Sequence, residues 1–198
     1  MKTGVYGGTF DPVHLGHLIL AEACRDALQL DRVLFVVAGH PPHKPDPAAD
    51  AHHRAEMVRL AIAGHPAFQL SDIEARRPGP HYSFETLAAL QLENPADDLF
   101  FLIGADSLID LPHWREPNRV ASLATVVVVN RPGLHNVADL VNRVDLGPNA
   151  RPIQIVDAPL VDIASKDIRA RLAARRSIRF LVPRAVEEYL KSHRLYQS

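Results

Sequence analysis

The chain has 198 residues, enough for one ordinary domain with a substantial buried core and too few to expect a second. Its 22 Lys+Arg against 23 Asp+Glu leave a net charge of -1, which argues against a protein that coats a polyanion or an acidic membrane face, so any phosphate site has to be local. The single cysteine, Cys24, cannot form an internal disulfide and fits a reducing compartment. No apolar run nears the roughly 20 residues of a membrane span, and Gly7, Gly8 and Asp11 interrupt any signal-peptide core, so the cytoplasm is the expected location. In chain order, a strand-like start runs into "GVYGGTFDPVHLGHL" and then into a helical pattern over 15–30, where Cys24 reads as a small buried hydrophobe. A strand "VLFVVAG" follows, and then "GHPPHKPDPAAD", a proline-rich loop long enough to move. Helical patterns cover 51–63, with Gly64 placed to end it, and 83–92. The strands "LFFLIGAD", "TVVVVNRPG" and "IQIVDAP" come next, followed by a helix over 165–175 and a packing helix opened by Pro183. The strands are short, continuous in Val, Ile, Leu and Phe, and lack polar alternation, as strands buried on both faces do.

Strand and helix alternate throughout, which predicts an α/β fold. The architecture expected is a Rossmann-like doubly wound parallel sheet forming one domain over 1–198, with a C-terminal helical segment and right-handed crossovers. Ligands of such sheets bind at the carboxyl ends of the strands near the switch point. The segments there are 7–17, 39–44, 104–107 and 130–133, all polar and all bearing glycine. In the first, Gly7 and Gly8 permit a tight turn and close backbone approach, and the next helix start offers unpaired N–H groups to an anion. His14 and His17, three apart at that helix start, should project into one space. Imidazoles there can donate to phosphate oxygens and carry charge at little cost, because an unperturbed histidine titrates near about 6.5. His52 and His53 read as a solvated first turn.

"GGTFDPVHLGHL" closely resembles the signature of the HxGH nucleotidyltransferase superfamily, here His14-Leu15-Gly16-His17. Within it the chain looks like a nicotinate mononucleotide adenylyltransferase. That resemblance continues through "PPHK", "HYSFETL", "LIGADSLIDLPHW", "NRPG" and "RFLVPRAVEEYL". It implies transfer of the adenylyl group of ATP to nicotinate mononucleotide, giving deamido-NAD and pyrophosphate, with a magnesium ion bridging the triphosphate and few or no direct protein ligands to it. The implied catalytic residues are His14, His17, Lys44 and Arg169. The ATP site would comprise Gly7, Gly8, Thr9, Phe10, His14, Gly16, His17, Gly104, Asp106, Ser165 and Arg169, with Asp106 toward ribose or nucleotide and Arg179 a further candidate for the phosphates. Lys44, Ser83, Thr86 and Trp114 would hold the other substrate. Ser83 is expected to cap a helix whose first-turn N–H groups, near Thr86, receive the nicotinate carboxylate, while Trp114 stacks on the pyridine ring. The expected partners are these small molecules, with no nucleic acid and no membrane; self-association stays open.

One motif departs from the family pattern. Where relatives usually carry a Ser/Thr-rich "ISST" or "ISAT", this chain has Ile163-Ala164-Ser165-Lys166, then Asp167, Ile168 and Arg169. Ser165 can still cap the helix and present its first N–H groups. Lys166 either replaces the missing hydroxyls with a charge or faces solvent. The same "SK" is similar to the lysine signature of class I aminoacyl-tRNA synthetases, for which the chain is too short. A sister enzyme such as phosphopantetheine adenylyltransferase would share the histidines but not predict the Trp114 block. A metal hydrolase using His14, His17, His40 and His43 would lack the carboxylate or cysteine partners of a typical zinc site, and a non-catalytic nucleotide sensor would share the binding residues alone.

Overall fold

A computed structural model of the chain describes residues 1–39, 47–130, 137–159 and 161–197. Lys44, His40, His43 and most of the 130–133 turn lie outside them. The strands are β1 (Lys2–Gly8), β2 (Arg32–Val37), β3 (Phe68–Ser71), β4 (Asp98–Gly104), β5 (Thr125–Asn130) and β6 (Gln154–Asp157). All pair in parallel, in the order β3-β2-β1-β4-β5-β6. The helices are α1 (Leu15–Leu28), α2 (Ala51–Ile62), α3 (Ser83–Glu93), α4 (Ala105–Asp110), α5 (Pro117–Leu123), α6 (Val137–Arg143), α7 (Ser165–Ala173) and α8 (Arg184–Ser192).

The period-2 alternation of strand side chains sorts the core into two layers. Tyr6, Val33, Phe35, Leu102 and Val127 face one way and pack with Leu20 and Cys24 of α1, Met57 of α2, Ile168 of α7 and Leu190 of α8. Val5, Leu34, Val36, Phe101, Ile103 and Val128 face the other way, toward Phe84 of α3, Leu108 of α4, Val120 of α5 and Val137 of α6. Cys24 has no exposure, and burial pushes its thiol up to about 12, so it acts as a packing residue.

The doubly wound sheet matches the predicted class. Two kinds of element escape the sequence pattern. Strand β3 has only four residues on the sheet edge, and α4, α5 and α6 have six or seven residues each, too short for a helical period to stand out. The first helix ends at Leu28, two residues early, because Gln29 takes a left-handed cap with φ 53°. As expected, Gly64 follows α2 with φ +88°.

β1 lies at the centre of the sheet, paired with β2 and β4. From β1 the chain goes through α1 to β2 on one side, and it returns to β4 on the other, so the switch point lies between β1 and β4. Asp97, just before β4, ties this centre together. Its Oδ2 accepts from the Thr3 hydroxyl at 2.8 Å and from Arg32 Nη2 at 2.7 Å, and the N-terminal amine lies 3.4 Å from Oδ1. Burial alone would push the Asp97 carboxyl up, but the Thr3 hydroxyl and the Arg32 guanidinium outweigh it and hold the group below the usual carboxylate range. With the folded pKa below the unfolded value of about 3.9, the contribution is complete above that value and is lost as pH falls through the lowered one. In chemical denaturation, Asp97→Asn should therefore cost stability at about pH 7, and the gap to wild type should narrow as pH falls below the unfolded value of about 3.9.

Candidate active site

A cleft of about 1000 Å³ opens at the carboxyl ends of β1 and β4. Its lining gathers Gly7, Gly8, Thr9, Phe10 and His17 after β1, and Gly104 and Asp106 at the end of β4. Ser83, Thr86 and Trp114 stand on one flank, with Ser165, Lys166 and Arg169 on the other. Of the described candidate residues, His14, Gly16 and Arg179 do not line it.

The glycines have separable causes. A Cβ on Gly8 would lie 2.8 Å from Phe10 Cζ, so Gly8 makes room for a protein ring. Phe10 has φ 49°, a left-handed backbone uncommon for a bulky residue, and folds its ring edge-on against Tyr6 and His17, at centroid distances of 5.4 and 5.1 Å. At Gly16 a Cβ would press on the His14 ring at 3.1 Å. Gly104 differs, because a Cβ there would meet nothing within 4 Å. The space beside Gly104 is open cleft.

His14 is the N-cap of α1 and His17 its third residue. The His14 N–H donates to His17 Nδ1 at 3.2 Å, which places the proton of a neutral His17 ring on Nε2. The two rings stack with centroids 3.6 Å apart, so His14, only 3% exposed, sits behind His17. His17 is the one of the pair at the cleft surface. The sequence pattern, which places both rings in one space, does not anticipate this layering.

Both helix starts on the flanks fall one residue earlier than their serines suggest. The N-cap of α7 is Ala164; Ser165 is the first helical residue, and its hydroxyl donates to the Pro12 carbonyl at 2.9 Å. Lys166 is exposed and lines the cleft, and Arg169, one turn on, donates from Nη1 to the Asp11 carbonyl at 2.6 Å. The N-cap of α3 is Tyr82, leaving Ser83 as its first residue. The Thr86 hydroxyl is occupied: it donates to Glu74 Oε1 at 2.8 Å and accepts from Arg77 Nη2 at 3.1 Å. The Thr86 and Glu85 N–H groups both bond the Tyr82 carbonyl. The N–H groups of Ser83 and Phe84 are then the first-turn donors without an intrahelical acceptor. Arg115 strengthens this corner, its Cζ lying 4.7 Å above the Tyr82 ring at the mouth of the cleft. Trp114 is half-buried, its ring 6.2 Å from that of Phe101 and nearly perpendicular to it.

Three structural residues of the site are not apparent from the sequence. Arg54, 1% exposed, donates to the carbonyls of Ala49, Thr9, Ala38 and Gly39, and so clamps the ends of β1 and β2 to the start of α2. Burial holds its guanidinium below the ordinary range, against the pull of Asp11. Its spacing with Met57 and Val58, three and four residues on, was the available signal for the buried face of α2. Glu74 accepts from the Gly39 N–H at 3.2 Å besides Thr86. Tyr196 reaches Asp11 from the far end of the chain. The cleft thus has a cationic half around His17, Lys166 and Arg169, and a second half where a helix start, Arg115 and an aromatic ring meet.

Residues 5–171 match the cytidylyltransferase-like family. Over the whole chain, 48% of residues are identical to a protein of Thermomicrobium roseum named a probable nicotinate-nucleotide adenylyltransferase, 92% of whose length is covered. A protein of the same name from Thermus thermophilus is 45% identical, with each chain covered completely. Among solved structures, the nicotinic acid mononucleotide adenylyltransferase of Plasmodium falciparum complexed with NaAD superposes with a TM-score of 0.82, covering 99% of this chain and 98% of that one at 17% identity, which speaks to the fold.

Proposed function

Because the chain belongs to the cytidylyltransferase-like family and, through its full-length relatives, to the nicotinate-nucleotide adenylyltransferases, we propose that it catalyses adenylyl transfer from ATP to nicotinate mononucleotide. The products are deamido-NAD and pyrophosphate, and the reaction is a step of NAD biosynthesis. A phosphate oxygen of the mononucleotide attacks the α-phosphorus, and the bond from that phosphorus to the β-phosphate oxygen breaks. The observation that carries the reading is the two-sided cleft, with cationic groups for a triphosphate on one flank and an aromatic and helix-start corner for a nicotinate ring on the other.

Two anions must be brought together, so the protein's work is positioning and charge neutralisation. His17 Nε2–H would donate to the ATP phosphates, with Arg169 and Lys166 holding further oxygens; Lys44, from its motif, would add another. Asp106 would take a ribose hydroxyl. His14 would act through His17, whose ring it backs. Magnesium fits as an ion carried in on the triphosphate, where it would neutralise phosphate charge: among the described residues no three His, Cys, Asp or Glu side chains converge as metal ligands. Among the described residues no helix is long and apolar enough to cross a membrane, and we place the enzyme in the cytoplasm with small molecules as its partners.

Gly104 gives a test that separates binding from folding. It has φ -75°, which alanine adopts without strain, so Gly104→Ala should leave the melting temperature unchanged or slightly raised. The added methyl occupies space meant for the nucleotide and should raise the KM for ATP by roughly 10-fold, the scale of a clash of about 1 to 3 kcal/mol. The functional reading itself is tested by pyrophosphate release from ATP with a panel of phosphate monoester acceptors. Release should depend on nicotinate mononucleotide; release with phosphopantetheine in its place would refute the assignment.

A further inference from the structure

Asp11 follows Phe10 directly and is 5% exposed, so its carboxylate must find its partners inside the protein. It finds them on distant segments. Oδ2 accepts from the Ala48 N–H at 2.8 Å, and Oδ1 from the Ala49 N–H at 3.1 Å. Oδ1 also accepts from the hydroxyl of Tyr196, 185 residues further along the chain. Two guanidiniums lie near: Arg54, which feels the Asp11 charge but is held on carbonyls, and Arg169, whose Nη1 donates to the Asp11 backbone carbonyl at 2.6 Å yet stays 3.6 Å from Oδ2. Charge-assisted bonds between nitrogen and carboxylate close to about 2.7–2.9 Å. Arg169 is therefore tethered beside the carboxylate and ion-paired with it at 3.6 Å, short of a hydrogen bond to it, and its side chain keeps 34% of its surface exposed.

We propose that Tyr196 is a positioning residue for the ATP half of the cleft: by giving Asp11 a third uncharged donor, it keeps the carboxylate from drawing Arg169 away from the phosphates. A carboxylate has about four acceptor positions, and three of them are filled by two backbone N–H groups and a phenol. If the phenol is lost, Oδ1 keeps only the Ala49 N–H in a buried setting where an unfilled acceptor is costly. Arg54 already spends its donors on four carbonyls, so the cation the carboxylate would draw closer is Arg169, which lies 3.6 Å from Oδ2. Tyr196 is suited to the task, since burial, and then Asp11 itself, push its phenol well above the ordinary tyrosine range, so it remains a donor at every physiological pH. Its backbone is left-handed, with φ 61°, an uncommon conformation for a bulky residue, and the turn that carries it is fixed to α8 by the Leu195 N–H bonding the Leu190 carbonyl. The C-terminal turn thus reaches across the molecule to the loop after β1.

The inference rests on the adenylyl-transfer reading only for the identity of the bound anion, and its test does not require turnover. Tyr196→Phe removes one oxygen. The Kd of a non-hydrolysable ATP analogue, measured by calorimetry, should rise roughly 10- to 150-fold, the scale of a lost bond to a charged group. The KM for ATP should rise in parallel while that for nicotinate mononucleotide stays within about 2-fold. Deleting residues 196–198 should reproduce this. In an Arg169→Ala background the effect of Tyr196→Phe on analogue binding should vanish, because no guanidinium is left to be withdrawn. An unchanged Kd in both single variants, an equal loss for the two substrates, or persistence of the effect without Arg169 would each overturn the proposal and leave Tyr196 as a stabilising contact. A wild-type protein that binds the analogue but does not turn over nicotinate mononucleotide would count against the proposed function and not against this contact.

Discussion

Replacing His17 by alanine is expected to lower kcat by about 100- to 1,000-fold, the usual loss when one donor to a developing anion is removed, while leaving the protein folded. The two effects separate because the ring has two faces of work. Nδ1 accepts the His14 N–H at 3.2 Å, a capping bond whose loss costs on the order of 1 kcal/mol. Nε2, which carries the proton of the neutral ring, is the atom proposed to meet the phosphates between which negative charge shifts in the transition state. Analogue binding should weaken much less than kcat, as befits an interaction strongest in the transition state. His17→Asn offers an informative contrast, since its amide can replace either the capping acceptor or the phosphate donor but does not span both. A His17→Ala enzyme with near wild-type kcat would remove the histidine from the catalytic role.

The second large effect concerns the acceptor. Nicotinate mononucleotide should exceed its amide analogue in kcat/KM by at least about 100-fold, the scale at which a site built for one polar group rejects its replacement. The geometry relocates the donors responsible. The Thr86 hydroxyl is spent on Glu74, so in the proposed site the carboxylate would meet the N–H groups of Ser83 and Phe84, at the positive end of α3, and Arg115 above Tyr82. These are donors only, and an amide N–H2 would face like groups. Trp114→Ala should weaken both mononucleotides, because ring stacking, worth about 0.5 to 1.5 kcal/mol, does not distinguish acid from amide. Steady-state kinetics with the two substrates, on wild type and on Trp114→Ala, measures both statements; equal kcat/KM values would indicate a dual-specificity enzyme.

What the sequence could and could not reveal follows from the range of the interactions. Strands β2, β4 and β5 are legible because a strand buried on both faces is a continuous apolar run, while β1, Lys2–Gly8, is legible mainly from the glycine motif that ends it; the sites after them follow from the sheet's polarity. Helix starts are legible to within a residue. Ser83 and Ser165 look like caps, yet the caps are Tyr82 and Ala164, neither making a side-chain bond, because the Ser165 hydroxyl has a better acceptor in the Pro12 carbonyl. Gly8 is legible as a special position but not for its reason, which is the ring of Phe10 two residues later. The roles of Arg54, Asp11 and Tyr196 are not legible locally. Their bonds run to backbone groups or to residues up to 185 positions away, and no local period or spacing encodes a carbonyl brought near by the fold. Lys44 rests on its motif alone.

The central claim is that this cleft joins the α-phosphate of ATP to nicotinate mononucleotide. ATP labelled at the α-phosphorus, incubated with the enzyme, magnesium and nicotinate mononucleotide, tests it most directly. The account predicts that the label passes into the dinucleotide deamido-NAD, that unlabelled pyrophosphate is the other product, and that neither forms when the mononucleotide is left out. Label recovered in AMP or ADP instead, or pyrophosphate released at the same rate without the mononucleotide, would contradict it.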